Sequence, residues 1–249
     1  MNDLHTPIYF KNPAKSGVVV FIHGFMGSPR QFDYLAAAVY DRGFSAAALM
    51  LPGHGGSAKD FSLGTYERWQ GHVNSEIERF SSDYKDIWLV GHSMGGLLAI
   101  NAAVKYSGYS RGVFSIACPF IMSAFSSFAL KVRFKQVFGK KSDPIKAAYL
   151  SASSVPPSPS LIWRAAKPAS ELKTLMAAAR ANLLNLHLPV TAVYSASDEL
   201  VSIASLDILR AELTDAAFEE VLLTDSFHAW YPKREQAIIE NALLKFVIA

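Results

Sequence analysis

Between Gly17 and Ala117, short β-branched and aromatic runs alternate with longer stretches whose apolar residues recur at helical spacing, and few folds accept that rhythm. Gly17–Ile22 (GVVVFI) is almost uninterrupted in its apolar character, the pattern of a strand covered on both faces. Gln31–Tyr40 then sets Phe32, Leu35 and Val39 at helical spacing and stops at Arg42-Gly43. Phe44–Leu49, Asp86–Val90 and Gly112–Ala117 read as further strands, with Thr65–Phe80 and Met94–Tyr106 as helices between them. Strands separated by such helices pack as right-handed βαβ units, giving a mostly parallel sheet with helices on both faces.

The rhythm breaks at Cys118-Pro119, and about seventy residues pass before the next clear strand at Val190–Tyr194. A structureless loop of that length is foreign to a compact domain, so an inserted helical cap is expected. Phe120–Phe138 is rich in phenylalanine, Ser151–Ser160 (SASSVPPSPS) is a proline-broken connection, and Ser170–Leu186 returns to a helical pattern with Ser170 as its N-cap. Two helical pieces are expected there. The alternation resumes with a helix near Ile203–Leu213, a strand near Phe218–Leu223 and a helix over Lys233–Val247. Residues 1–119 and 189–249 thus form the core and 120–188 the inserted cap, within one domain.

The nucleophile is expected where a strand meets a helix. Gly91-His92-Ser93-Met94-Gly95-Gly96 lies between a predicted strand and a predicted helix, the context that a G-x-S-x-G nucleophile elbow requires. The tight turn exposes the serine hydroxyl at the strand's carboxyl end, and the helix that follows directs its positive dipole end beneath it. A serine hydroxyl needs a histidine base, itself held in one tautomer by a carboxylate. Later loops supply these, in the order serine, acid, histidine. His228, in Ser226-Phe227-His228-Ala229, follows the last predicted strand and precedes the final helix. Asp198 directly follows the strand Val190–Tyr194. Its neighbour Glu199 is expected to point elsewhere, and Asp225 is the rival acid, too near His228 in the chain to reach the far ring nitrogen. Phe25, in the loop His23–Gly27, and Met94, after the nucleophile, are the expected N–H donors to a developing oxyanion.

Other features weigh less. Gly53-His54-Gly55-Gly56-Ser57-Ala58 only loosely matches a dinucleotide-binding loop and lacks the acid that should follow. His23, His54 and His92 lie at one edge without a ligand-spaced carboxylate, so no metal site is expected. Cys118, the single cysteine of 249 residues, reads as buried packing. A net charge of +3, with its lysines and arginines scattered, gives no nucleic-acid signature. No stretch is long and uncharged enough to span a bilayer, and no signal peptide is apparent, so a cytoplasmic protein is expected. Lys131, Arg133 and Lys135 among phenylalanines suit transient contact with a lipid interface. Nothing in the pattern speaks to oligomeric state.

Taken together, HGFMGS at His23–Ser28, LPGHGGS at Leu51–Ser57, GHSMGG at Gly91–Gly96, ACP at Ala117–Pro119, SASDELV at Ser195–Val201 and SFH at Ser226–His228 make the chain similar to the α/β-hydrolase superfamily. It most closely resembles the small bacterial carboxylesterases and monoacylglycerol lipases. The resemblance implies the α/β-hydrolase fold, a Ser93–His228–Asp198 triad and hydrolysis of a small-molecule ester, with short- to medium-chain acyl esters or monoacylglycerols as substrates and no cofactor. Phe120–Leu188 carries no match, and Ala229-Trp230-Tyr231-Pro232 departs from the family's usual tail. A C–C bond hydrolase, a lactonase or a non-catalytic receptor on the same fold are the alternatives. An aminopeptidase would need acids in its cap, where Phe120–Leu150 holds only Asp143.

Overall fold

The computed structural model describes residues 5–13, 17–123, 140, 143–156 and 158–248. Seven strands form one sheet in the order β1-β3-β2-β4-β5-β6-β7. They are β1 (Ile8–Phe10), β2 (Gly17–Ile22), β3 (Ser45–Leu49), β4 (Asp86–His92), β5 (Ser110–Ile116), β6 (Val190–Ser195) and β7 (Phe218–Leu223). All neighbours run parallel except β1, which pairs antiparallel with β3. Sequence reading missed β1 because it is a three-residue edge strand with mostly exposed side chains, too short for periodicity to register.

Side chains alternate across the strands, as a period of two demands. Val18, Val20 and Ile22 enter one core layer, while Val19 and Phe21 enter the other. The second layer is closed by α1 (Asp33–Asp41) and, at the end of the chain, by Lys233–Ile248, through Leu35 and Val39 on one and Ile239 and Leu243 on the other. The first is closed by helices of the middle of the chain. After the short α2 (Ala58–Phe61) these are α3 (Tyr66–Asp83), capped by Thr65, and α4 (Met94–Lys105). From α3 come Trp69, Val73 and Ile77, all fully buried. Every residue of α4 from Met94 to Ala103 is buried, which explains why its pattern is apolar all round rather than amphipathic.

Between β5 and β6 the described residues form three α-helices, α5 (Pro144–Ala152), α6 (Leu161–Arg164) and α7 (Ala166–Asn182), the last continued by a 3-10 turn over Leu183–Asn185. Helix α7 begins four residues before Ser170, and its N-cap is Ala165. The chain enters it directly from α6, so no fresh start is needed, and Pro168 is tolerated in the first turn, where N–H groups have no intrahelical acceptor. Leu175 and Ala179 of α7 join the same core layer as α4. An amide chain ties the helices: Asn182 Nδ2 donates to Asn101 Oδ1 at 2.8 Å, and Asn101 Nδ2 to Gln70 Oε1 at 3.2 Å. Most of Phe120–Phe138, with Lys131, Arg133 and Lys135, lies outside the described residues. The remaining helices are α8 (Ser205–Glu212) and α9 (Lys233–Ile248). No described helix is long and apolar enough to cross a membrane.

Candidate active site

Parallel strands deliver their C-terminal loops to one edge, and here β2, β4, β6 and β7 bring Phe25, Ser93, Asp198 and His228 together. Ser93 sits between β4 and α4 at φ 52°, ψ −121°, a conformation that costs a side-chain-bearing residue energy and is held by its surroundings. The flanking glycines show how little room there is. A Cβ on Gly91 would lie 2.3 Å from the Gly95 carbonyl oxygen, and one on Gly95 would lie 1.9 Å from that of Ile22. The elbow is therefore wedged against its own helix and against the end of β2.

Asp198 and Ser93 occupy opposite sides of the His228 ring. Nδ1 lies 2.9 Å from Asp198 Oδ2, and Nε2 lies 3.0 Å from Ser93 Oγ. A carboxylate can only accept, so Nδ1 carries the proton and Nε2 is left to accept the serine hydroxyl. Asp198 Oδ1 also accepts the N–H groups of Leu200 and Val201, each at 2.8 Å. Burial works against the Asp198 carboxylate, but the His228 ring and these N–H groups outweigh it and hold its pKa below the usual value. Burial likewise disfavours the His228 imidazolium, yet the neighbouring Asp198 and Glu199 charges raise its pKa above the usual 6.5. Asp225 is elsewhere, exposed and paired with Arg234 at 2.7 Å.

The His228 loop is braced from several sides. Glu235 of α9 accepts the N–H groups of Thr224 and Asp225 at 2.9 and 3.1 Å and the Ser226 hydroxyl, and Ser195 Oγ donates to Ser226 O at 2.6 Å. His92 Nε2 donates to the His228 carbonyl at 2.8 Å. A further brace was not legible in sequence: Glu199 turns from the ring but accepts the main-chain N–H of His228 at 3.0 Å.

Met94 opens α4, so its N–H belongs to the first turn and has no intrahelical acceptor. Phe25 lies across the cavity on a loop held by two histidines. His23 Nε2 accepts from Leu51 N at 3.1 Å and Nδ1 donates to Gly24 O at 2.9 Å, while His54 Nε2 accepts from Met26 N at 3.2 Å. Burial pushes His54 down to about 4 and His92 to about 3, keeping both neutral. These rings serve as hydrogen-bonding struts; among the described residues no group of three His, Cys, Asp or Glu side chains is placed to hold a metal. The Gly53–Gly56 loop, which the sequence offered only as a motif without a role, thus supports the Phe25 loop through His54. Cys118 is fully buried against α4, where burial raises its thiol pKa.

The cavity above Ser93 has a volume of about 260 Å³ and is walled mainly by Phe25, Met122, Tyr149, Leu172, Leu200 and Val201, with Ser93 and His228 at its polar end. A wider groove of about 980 Å³ opens at the opposite, N-terminal end of the strands, beside Trp88, Arg111 and Phe246. Ligands of open α/β sheets sit at the carboxyl ends of the strands, and of the two it is the smaller cavity that holds a serine hydroxyl hydrogen-bonded to a histidine.

Comparison with known proteins agrees with this geometry. The chain is 25% identical to the thermostable monoacylglycerol lipase of Bacillus sp. (strain H-257) over 246 residues, covering 96% of this chain and 93% of that one. A shorter match, 35% identical over 87 residues (35% of this chain, 32% of the other), is to 2-succinyl-6-hydroxy-2,4-cyclohexadiene-1-carboxylate synthase of Escherichia fergusonii. Among solved structures, one described with the metagenome-derived lipolytic enzymes LipS and LipT gives a TM-score of 0.74 at 20% identity, covering 99% of this chain and 99% of that one. The monoacylglycerol lipase of Paleococcus ferrophilus gives 0.73 at 18% identity, covering 97% of this chain and 98% of that one. Residues 19–237 match the model of the Alpha/beta hydrolase family. The chain therefore belongs to the alpha/beta hydrolase family, and within it resembles the esterases and monoacylglycerol lipases.

Proposed function

We propose that this protein is a serine carboxylic-ester hydrolase acting on short- to medium-chain acyl esters, monoacylglycerols among them, with Ser93 as nucleophile, His228 as base and Asp198 as the acid that orients it. The observation that carries the reading is the unbroken hydrogen-bond path from Ser93 Oγ to His228 Nε2 and from Nδ1 to Asp198. The monoacylglycerol lipase similarity and the apolar cavity wall support the substrate class.

On this reading Ser93 Oγ attacks the ester carbonyl while His228 takes its proton. The oxyanion that forms lies between the N–H groups of Phe25 and Met94, and each such donor is worth roughly 100- to 1000-fold in rate. The tetrahedral species collapses, His228 gives the proton to the departing alkoxide, and an acyl-enzyme remains. Water, deprotonated by the same histidine, attacks that acyl carbonyl, the Ser93 Oγ–acyl bond breaks, His228 returns the proton to Ser93, and the acid is released. The cavity volume falls just below the roughly 300–1,000 Å³ of drug-sized ligand sites, which suits a modest acyl chain. Residues 120–188 act as the cap in this scheme, with α5 at the cavity and α7 as its footing on α4.

The test is hydrolysis of p-nitrophenyl esters from acetyl to palmitoyl by wild type and Ser93→Ala. Turnover peaking at short or medium chains and a loss of about 10⁴-fold or more in kcat on removing Ser93 are expected. Because the base must be neutral and its pKa is raised, kcat/KM should fall on the acid side with a midpoint above 6.5. A wild type inert to every ester would replace this reading with a C–C hydrolase, a lactonase or a receptor.

A further inference from the structure

Glu199 is only 1% exposed, and a buried carboxylate persists only where hydrogen-bond donors face it. One such donor is the main-chain N–H of His228, 3.0 Å from Oε2, and another is the Tyr149 hydroxyl, which meets Oε1. Two consecutive acids therefore divide one histidine between them: Asp198 takes the ring and Glu199 takes the backbone. Tyr149 belongs to α5, outside the sheet, and lines the cavity above Ser93. Just beyond α5, Ser154 N donates to Met26 O at 2.9 Å and Ser154 Oγ to Gly27 O at 2.5 Å. One short stretch of chain is thus fastened to the Phe25 loop on one side and to the Asp198–Glu199 loop, and through Glu199 to His228, on the other.

We propose that Glu199 is a positioning residue for His228 and that Tyr149, bonded to it from α5, makes the placement of the base depend on the helix that walls the substrate cavity. The inference rests on His228 being the base. It differs from a plain bracing role because Glu199 contributes charge as well as hydrogen bonds. A carboxylate near an imidazole favours its protonated form. The other groups facing His228 are Asp198 at Nδ1, Ser93 at Nε2, the neutral His92 ring with its centroid 4.9 Å away, and Tyr231, whose hydroxyl donates to the His228 carbonyl at 3.1 Å. Removing the Glu199 charge leaves all of these in place.

The test is an NMR titration of the histidine rings in wild type and Glu199→Gln, with the His228 signals identified by their absence from His228→Asn. Glutamine keeps an acceptor for the His228 N–H, so the variant should fold, and His228 should titrate at lower pH than in wild type. An unchanged titration would overturn the assignment, since a bracing role alone is met by glutamine. Tyr149→Phe keeps the ring in the cavity wall and removes only the hydroxyl. It should lower kcat roughly 3- to 10-fold on the preferred ester, with KM near wild type. Kinetics equal to wild type would break the tie to α5. The titration needs no substrate, so an inert wild type would sink the esterase reading while the Glu199 result still stands or falls alone.

Discussion

The elbow that carries Ser93 and the helix α5 that faces it border the same cavity but are fixed by different physics. The elbow is held by contact: buried apolar residues along α4 and backbone approaches too close for any Cβ at Gly91 or Gly95. None of the described side chains of α5 is buried, and polar ties at Tyr149 and Ser154 do the holding. Close packing tolerates almost no substitution and gives sub-ångström reproducibility, whereas a few hydrogen bonds of about 1 kcal/mol each can be exchanged at small cost. Ser93 thus stands on the part that cannot drift, and one wall of the cavity stands on the part that can.

That contrast can be broken first at the rigid side. Asp198→Asn keeps the shape of the acid but no longer fixes the Nδ1–H tautomer, and kcat should fall by roughly 10³- to 10⁴-fold with the thermal midpoint little changed. Steady-state kinetics beside a melting curve would check both halves, and an active Asp198→Asn enzyme would count against the triad. Next in size is Gly95→Ala. Its new Cβ would meet the Ile22 carbonyl at 1.9 Å, and a loss of about 3 kcal/mol should appear in denaturant unfolding. A variant as stable as wild type would mean that the elbow has slack. The smallest effect belongs to the wall that α7 adds beside α5. Leu172→Trp fills part of the cavity from α7, so the preferred chain should shorten while acetyl ester turnover stays within about threefold of wild type. An unaltered chain-length profile would place the acyl group elsewhere.

What was legible in the sequence follows the same division. Strands covered on both faces betray themselves as apolar runs, and Gly17–Ile22 and the strand beginning at Val190 fall where those runs put them. The elbow was readable because its glycines are demanded by backbone sterics within six residues, and His228 and Asp198 because loop order constrains them. Glu199 and Tyr149 were not readable: 50 residues separate them, and no local pattern links a tyrosine on one helix to a carboxylate on a distant loop. Ser170 misled because a serine inside α7 looks like a helix start when the preceding α6 is not foreseen. His54 was set aside with its glycine loop, since a histidine that props another loop has no signature short of the contact itself.

The burial of α4 has a bearing on how activity is lost with heat. Amides of a helix enclosed on all sides open to solvent only when the sheet around them opens, so no cheap local excursion releases Ser93 from its aim. Helix α5 has no such protection and can part from the molecule at lower cost. On warming, the proposed discrimination between acyl chains should therefore fade and kcat should slip by the few-fold that the Tyr149 tie supplies, so that an enzyme heated short of unfolding would become less choosy and slower well before it became inert.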